Sequence, residues 1–321
     1  MTDAPDVVVL RRSAHGMDTE EYARELRKRL PDWTVARAAT PAEERDLVER
    51  APVVTGHRLP PAVLEAADAM EYFACASAGT GHLPLEALAD RGVVVSNGSG
   101  VHGPNIAEYV LGQLLVFTRD FHRSWRQHEG REWRHHQSRE LKGDTVTIVG
   151  LGAIGREVAR RLPPFGVETI GVRYTPDKGG PTDEVIGLDH DAFHEALSRT
   201  DYLVIASPLT AETRGLVGEA EFETLPSDAV LVNVGRGPIV DTDALVSAVQ
   251  TNRLRGAALD VTDPEPLPPD HDLWGFDNVS ITPHNAGHTP EYYARLAEIV
   301  AANLERAAET GDYGTIENRV A

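Results

Sequence analysis

Short Val- and Ile-rich runs alternate along the chain with longer segments whose apolar positions recur at helical spacing. That alternation predicts βα units built on parallel sheets. In the first third, strands are expected at 7–10, 53–55, 72–76 and 93–96, and helices near 18–30, 41–50, 60–67 and 84–89. Pro or Asp at the helix starts, and Asp90-Arg91-Gly92 at the last stop, frame these helices. A longer helical pattern over 101–121 follows, with Ile106, Val110, Leu114 and Phe117 on one face, and leads into a turn-rich arm at 123–142. A second βα series has strands at 145–149, 169–173, 202–206, 229–234, 256–260 and 279–282. An amphipathic helix over 290–310 closes the chain, with Leu296, Ile299, Val300 and Leu304 on its apolar face. The pattern is therefore two successive α/β blocks, with no internal repeat.

Composition narrows this picture. A chain of 321 residues with 41% hydrophobic content can build a core in each of two domains. Its one cysteine excludes an intrachain disulfide and any multi-cysteine metal site, which suits a reducing compartment. Cys75 reads as a buried strand residue in preference to a reactive thiol. The acidic N-terminus lacks a signal-peptide pattern and no apolar run reaches about 18 residues, so a cytoplasmic protein without a membrane span is expected.

Charge adds a second constraint. With 50 Asp and Glu against 31 Lys and Arg, the formal charge is −19, which argues against nucleic-acid binding. The arm is locally cationic and carries Trp125 and Trp133, but Glu129, Glu132 and Glu140 interrupt the charge, so it reads as a connection. Lysine is scarce: three (Lys28, Lys142, Lys178) accompany 28 arginines. An acidic, lysine-poor surface repels itself at low ionic strength and is relieved in molar salt, where the Debye length is about 3 Å, so a salt-adapted (halophilic) host is expected. An arginine-rich genome with an acidic proteome would leave the same composition.

Candidate chemistry begins at Gly150-Leu151-Gly152-Ala153-Ile154-Gly155, a GxGxxG motif between an apolar strand and a helix. The first glycine permits the tight turn, the second lets backbone approach a pyrophosphate, and the third allows close helix–strand packing. Free N–H groups at the helix start then face the phosphates. After the next strand, where an acidic residue would bind the ribose of NAD, the chain reads Arg173-Tyr174-Thr175 and has no acid before Asp177. Arg173 and Tyr174 suit a 2′-phosphate, so NADP(H) is the preferred cofactor and NAD(H) the second choice. Stacking of Arg173 on adenine would suit either.

Three further motifs follow late strands: Asn233-Val234-Gly235-Arg236-Gly237, Asp260-Val261-Thr262-Asp263-Pro264-Glu265-Pro266, and Pro283-His284-Asn285-Ala286-Gly287. They supply one fixed cation, one carboxylate and one imidazole. Reducing a 2-keto acid requires such a set. A cation holds the carboxylate and polarises the carbonyl, an acid protonates the developing alkoxide, and a carboxylate orients that acid. Hydride comes from a nicotinamide.

With these motifs in order, the chain resembles the D-isomer-specific 2-hydroxyacid dehydrogenases over nearly its whole length. The likeness extends through Gly100-Val101 to Ala107-Glu108, Glu140-Leu141-Lys142-Gly143, Ser207-Pro208-Leu209-Thr210 with Thr213, and Thr289-Pro290-Glu291. It implies two Rossmann-like doubly wound α/β domains: a discontinuous substrate domain (1–100 and 286–321) and a dinucleotide domain (101–285). It also implies Arg236 as the substrate-binding arginine, His284 as acid/base and Glu265 as its partner. Ser207, Pro208, Thr213, Val234, Asp260 and Gly287 would lie on the cofactor, Asp260 at the carboxamide. Backbone N–H groups of Ala78 and Gly79 would receive the substrate carboxylate. No catalytic metal is implied. Domain closure would exclude water, and a homodimer would form through the dinucleotide domain and its arm.

One departure stands out: after Ala78-Gly79 the family often has Asp-x-Ile-Asp, whereas this chain reads Gly81-His82-Leu83-Pro84. His82 and His102 either approach the pocket or face solvent. The expected activity is NAD(P)H-dependent reduction of a small 2-keto acid to a D-2-hydroxyacid. Phosphoglycerate oxidation competes within the family, and formate oxidation is disfavoured by Glu265, where that branch has Gln. A non-catalytic nucleotide-sensing regulator, as in corepressors of this fold, is the alternative from another class.

Overall fold

The computed structural model describes residues 4–13 and 16–321. The chain divides into two compact units: the described residues of Met1–Val101 with His288–Ala321, and His102–Gly287.

In the first unit, β1 (Val7–Val9), β2 (Val35–Arg37), β3 (Val53–Gly56), β4 (Tyr72–Cys75) and β5 (Val94–Ser96) form a parallel sheet of order β2-β1-β3-β4-β5. Strand alternation sends Val7 and Val9 to one face, against Tyr22, Leu26, Leu296 and Val300. Val8 goes to the other face, against Val63 and Leu88. Each face therefore needs its own helical layer. Helix α1 (Thr19–Arg29) and the last helix (Tyr292–Thr310) cover the first, and α2 (Pro41–Val48), α3 (Pro61–Ala66) and α4 (Leu85–Asp90) cover the second. Helix α1 is well specified: Asp18 caps it by accepting from the Glu20 N–H, Glu20 and Glu21 occupy its first turn, and Arg27, Lys28 and Arg29 its last. The chain's end pairs with β5, the Val95 N–H donating to the Ala321 carbonyl and the Val320 N–H to the Val95 carbonyl. Cys75 is buried.

In the second unit, β6 (Thr145–Val149), β7 (Glu168–Val172), β8 (Glu184–Ile186), β9 (Tyr202–Ile205), β10 (Val230–Asn233), β11 (Gly256–Leu259) and β12 (Val279–Ile281) form a parallel sheet of order β12-β11-β10-β9-β6-β7-β8. Helices α5 (Gly103–Thr118), α6 (Phe121–Glu129), α7 (Ala153–Arg161), α8 (His190–Leu197), α9 (Glu219–Thr224) and α10 (Thr242–Gln250) complete it. Strand order reverses between β6 and β9, and open α/β sheets bind ligands outside the carboxyl ends of such a pair.

Three elements differ from the sequence expectation. Strands β2 and β8 are additional, and both are three-residue edge strands with few fully buried positions, too short to imprint a pattern. The arm begins as a helix. Asp120, in the left-handed region (φ 52), breaks α5, and α6 follows with no buried residue, its Phe121 and Trp125 one turn apart and both exposed. Trp125 and Trp133 of the arm are 58% and 96% exposed. Among the described residues no helix is long and apolar enough to cross a membrane.

Candidate active site

The glycine motif lies at the β6–β9 switch point. Gly150 has φ +101, and a Cβ there would lie 2.7 Å from the Ser207 backbone; a Cβ on Gly155 would lie 1.9 Å from the Gly150 carbonyl. Neither position tolerates a side chain. At Gly152, by contrast, a Cβ would meet nothing within 4 Å, so the backbone there borders open space. Helix α7 starts at Ala153 and presents its first N–H groups to that space.

A cavity of about 520 Å³ opens here, lined by Gly150, Leu151, Gly152, Arg173, Tyr174, Ser207, Pro208 and Thr213 among the expected cofactor residues. Ala153, Ile154 and Gly155 form the adjoining helix start, while Val234, Asp260 and Gly287 lie outside the cavity lining. Thr213 shapes the far wall, its hydroxyl donating to the Pro208 carbonyl and accepting from the Thr210 N–H. Ser207 Oγ is buried without a partner among the described residues, a polar atom that a bound nucleotide would satisfy. The residues therefore fit a dinucleotide. Arg173 Nη1 donates to the Gly179 carbonyl at 2.5 Å and closes the loop between them. Lys178, in the same loop, also lines the cavity and was not singled out from the sequence.

Parallel strands β10, β11 and β12 are successive neighbours, so the loops that follow them emerge side by side at the carboxyl edge. His284 Nδ1 lies 2.6 Å from Glu265 Oε1. A carboxylate only accepts, so the imidazole proton of this bond sits on Nδ1 and Nε2 is left for exchange. Arg236 is exposed on the loop after β10, and its Nη1 donates to the Gly235 carbonyl at 2.7 Å. Among the described residues it pairs with no carboxylate. Its neighbours are glycines because backbone crowds both: a Cβ on Gly235 would lie 2.8 Å from the Ser207 carbonyl, and one on Gly237 1.9 Å from that of Thr262. Arg236 is thus pinned between the loop of Ser207 and the loop that carries Glu265.

His284 itself has φ +53, an unfavourable region for a side-chain-bearing residue. Asp260 holds it there. The Asp260 carboxylate, 3% exposed, accepts from the Thr282 hydroxyl (2.6 Å), the Asn285 N–H (2.8 Å) and the Ala286 N–H (3.0 Å), and the His284 N–H donates to the Asp260 carbonyl. From α5, the Asn105 amide donates to the Ala286 carbonyl, and the His102 ring lies 2.8 Å from the Gly287 carbonyl. His102 is therefore a clasp on the 284–287 turn. Tyr109 donates or accepts at Thr282, and burial first of all pushes its hydroxyl pKa up to about 12. None of these partnerships carries a local sequence signal.

In the first unit, the loop after β4 holds Ala78 and Gly79, both exposed. Their carbonyls are occupied: Asn97 Nδ2 donates to Ala78 (2.7 Å) and Ser77 Oγ to Gly79 (2.8 Å). Their N–H groups have no acceptor among the described residues. His82 follows, its ring stacked on that of His57 at 5.0 Å and its Nε2 2.5 Å from the His57 carbonyl. Burial, and then the neighbouring His82, lower the pKa of His57.

Comparisons with known proteins agree with this architecture. The family model for "D-isomer specific 2-hydroxyacid dehydrogenase, NAD binding domain" matches residues 111–286. A glyoxylate reductase from Thermofilum pendens is 35% identical over 249 residues, 75% of this chain and 73% of its own. Among solved structures, a D-isomer-specific 2-hydroxyacid dehydrogenase family protein from Aeromonas salmonicida superposes with a TM-score of 0.78 at 29% identity, covering 99% of both chains. An NADPH-dependent glyoxylate/hydroxypyruvate reductase from Sinorhizobium meliloti, in complex with NADP and malonate, gives 0.70 at 29% identity, covering 99% of this chain and 97% of its own. With a glycine-lined cavity that fits a dinucleotide, a Glu–His pair, and an arginine that pairs with no carboxylate among the described residues, this chain belongs to the D-isomer-specific 2-hydroxyacid dehydrogenase family of NAD(P)-dependent oxidoreductases.

Proposed function

We propose that the protein reduces small 2-keto acids, glyoxylate and hydroxypyruvate first among them, to 2-hydroxyacids, of the D-configuration wherever C2 becomes a stereocentre, with NADPH as the preferred reductant. In this reading His102–Gly287 is the dinucleotide domain and the other unit the substrate domain. The observation that carries it is the 2.6 Å contact of His284 with Glu265, together with Arg236, which pairs with no carboxylate among the described residues. Residues 150–155 with Ser207, Pro208 and Thr213 would hold the dinucleotide, which would supply the hydride for C2 of the keto acid. Val234, Asp260 and Gly287 would serve its nicotinamide end.

Arg236 binds the substrate carboxylate and polarises the carbonyl, and His284 Nε2 delivers the proton to the developing alkoxide. The Glu265 carboxylate orients the ring and balances its charge. Ala78 and Gly79 receive the carboxylate on their N–H groups. Arg173, Tyr174 and Lys178 at the cavity mouth favour a 2′-phosphate. The relatives' names support the reaction class, and their NADP-bound member supports the cofactor. A homodimer through the dinucleotide domain and its exposed Trp-bearing arm, in a salt-rich cytoplasm, completes the proposal.

The test is NADPH and NADH oxidation across a panel of 2-keto acids, run on the wild type and Arg236→Ala. Turnover of glyoxylate with the higher kcat/KM on NADPH is expected, and Arg236→Ala should lose on the order of 3 kcal/mol of transition-state stabilisation, more than 100-fold in kcat/KM. Turnover of no keto acid would favour a nucleotide-sensing regulator, and an unchanged Arg236→Ala would remove that residue's role.

A further inference from the structure

The loop after β4 contains a regularity that reaches beyond Ala78 and Gly79. Three successive carbonyls are tied back into the first unit. The Gly98 N–H donates to Ser77 (2.9 Å), Asn97 Nδ2 to Ala78 (2.7 Å) and Ser77 Oγ to Gly79 (2.8 Å). A trans peptide is planar, with its C=O and N–H pointing in opposite directions. Holding the carbonyls of Ser77, Ala78 and Gly79 therefore turns the N–H groups of Ala78, Gly79 and Thr80 away from those anchors. None of these three N–H groups has an acceptor among the described residues. Successive unpaired N–H groups are the donors from which backbone builds an anion site.

The anchors are themselves fixed. Asn97 is held at its side chain, where Oδ1 accepts from the Ser99 N–H, and at its backbone, where its N–H donates to the Asn318 carbonyl. The stretch from Asn97 to Ser99 is gripped from its other side by Asn318, whose amide donates to the Ser99 carbonyl at 2.9 Å. Tyr292 of the last helix donates to the Ala76 carbonyl at 2.5 Å and fixes the root of the loop. Ser77 Oγ also lies 3.3 Å from the buried Cys75 sulfur.

We propose that Asn97 and Ser77 are positioning residues for a three-donor carboxylate site made by the N–H groups of Ala78, Gly79 and Thr80. Asn97 orients the Gly79 N–H and Ser77 orients the Thr80 N–H. The inference rests on the reading that this loop receives the substrate carboxylate, and it adds Thr80 as a third donor and names the side chains that aim the set. Substrates are held by their carboxylate irrespective of the group on C3, so the two side chains set affinity for 2-keto acids as a class.

The test is steady-state kinetics with glyoxylate, NADPH binding by fluorescence, and thermal unfolding, on the wild type and Asn97→Ala, Ser77→Ala and Ser77→Thr. Loss of an orienting bond worth about 1 kcal/mol should raise the glyoxylate KM by roughly five- to tenfold. In both alanine variants kcat should stay within about threefold and NADPH affinity within about twofold of wild type. Ser77→Thr, which keeps the hydroxyl, should restore a KM near wild type. Wild-type KM in both alanine variants would overturn the proposal, as would a parallel fall of kcat and NADPH affinity, or Ser77→Thr behaving as Ser77→Ala. If Asn97→Ala does not fold, the Ser77 pair decides. A wild-type enzyme active on no 2-keto acid would overturn the underlying reading together with the inference, whereas an active enzyme with insensitive variants would overturn the inference alone.

Discussion

The Asp260→Asn substitution gives the sharpest test of how the 284–287 turn is built. The Asp260 carboxylate is 3% exposed and accepts from three donors, the Thr282 hydroxyl and the N–H groups of Asn285 and Ala286. Asparagine keeps the shape but removes the charge, and charge-assisted bonds are roughly twice as strong as neutral ones. It also sets an NH2 group against the Ala286 N–H wherever the amide replaces Oδ2, which accepts that N–H at 3.0 Å. Three weakened bonds at somewhat under 1 kcal/mol each give a loss of about 2 kcal/mol, or about 4–8 °C in the melting of a unit of this size.

Catalysis should suffer separately. The φ of +53 at His284 costs about 1–2 kcal/mol, and the bonds from Asp260 hold it there. Releasing them lets the ring leave Glu265, so kcat for keto-acid reduction should fall roughly 10- to 100-fold. Stopped-flow NADPH oxidation on saturating glyoxylate, paired with calorimetry, measures both. A variant with the expected Tm loss and kcat within twofold of wild type would refute the link between this anchor and the His284 geometry. A variant unchanged in both would refute the anchor itself.

Two further outcomes are expected. Asp144 has its pKa pushed up to about 6, chiefly by burial and then by the neighbouring Asp201. Its folded-state pKa lies above the unfolded value, so its proton favours the folded state. The contribution of Asp144 to wild-type stability should fall as pH rises from about 4 to 6 and then level off. Asp144→Asn should exceed wild type by about 1 kcal/mol at pH 7.5, after allowance for solvent screening, and the gain should vanish near pH 4. Equal pH profiles in urea titrations would contradict this. Separately, a protein of formal charge −19 with three lysines should unfold at a higher midpoint in 2 M KCl than in 50 mM KCl, and equal midpoints would defeat salt adaptation.

The sequence by itself determined the elements that bury apolar side chains and the motifs whose chemistry is local. Val7 to Val9 and Thr145 to Val149 announced strands because burial on both faces demands apolar residues, and the glycine motif announced a candidate nucleotide cradle because backbone contacts exclude a Cβ at Gly150 and Gly155 while Gly152 borders open space. Strands β2 and β8 and helix α6 escaped because edges and exposed faces bury too little to impose a period. Within the candidate site, Arg236, Glu265 and His284 could be proposed from residue type, since keto-acid reduction needs a cation, a carboxylate and an imidazole. Their partners were not. Glu265 and His284, 19 positions apart, meet at 2.6 Å only because β11 and β12 are neighbours in register. The holds of Asp260 on the 284–287 turn, of His102 on Gly287 and of Asn97 on Ala78 depend in the same way on long-range register and on where each carbonyl points. Burial leaves its period in the sequence, whereas a hydrogen-bond partner is chosen by backbone geometry that exists only once the sheets have formed.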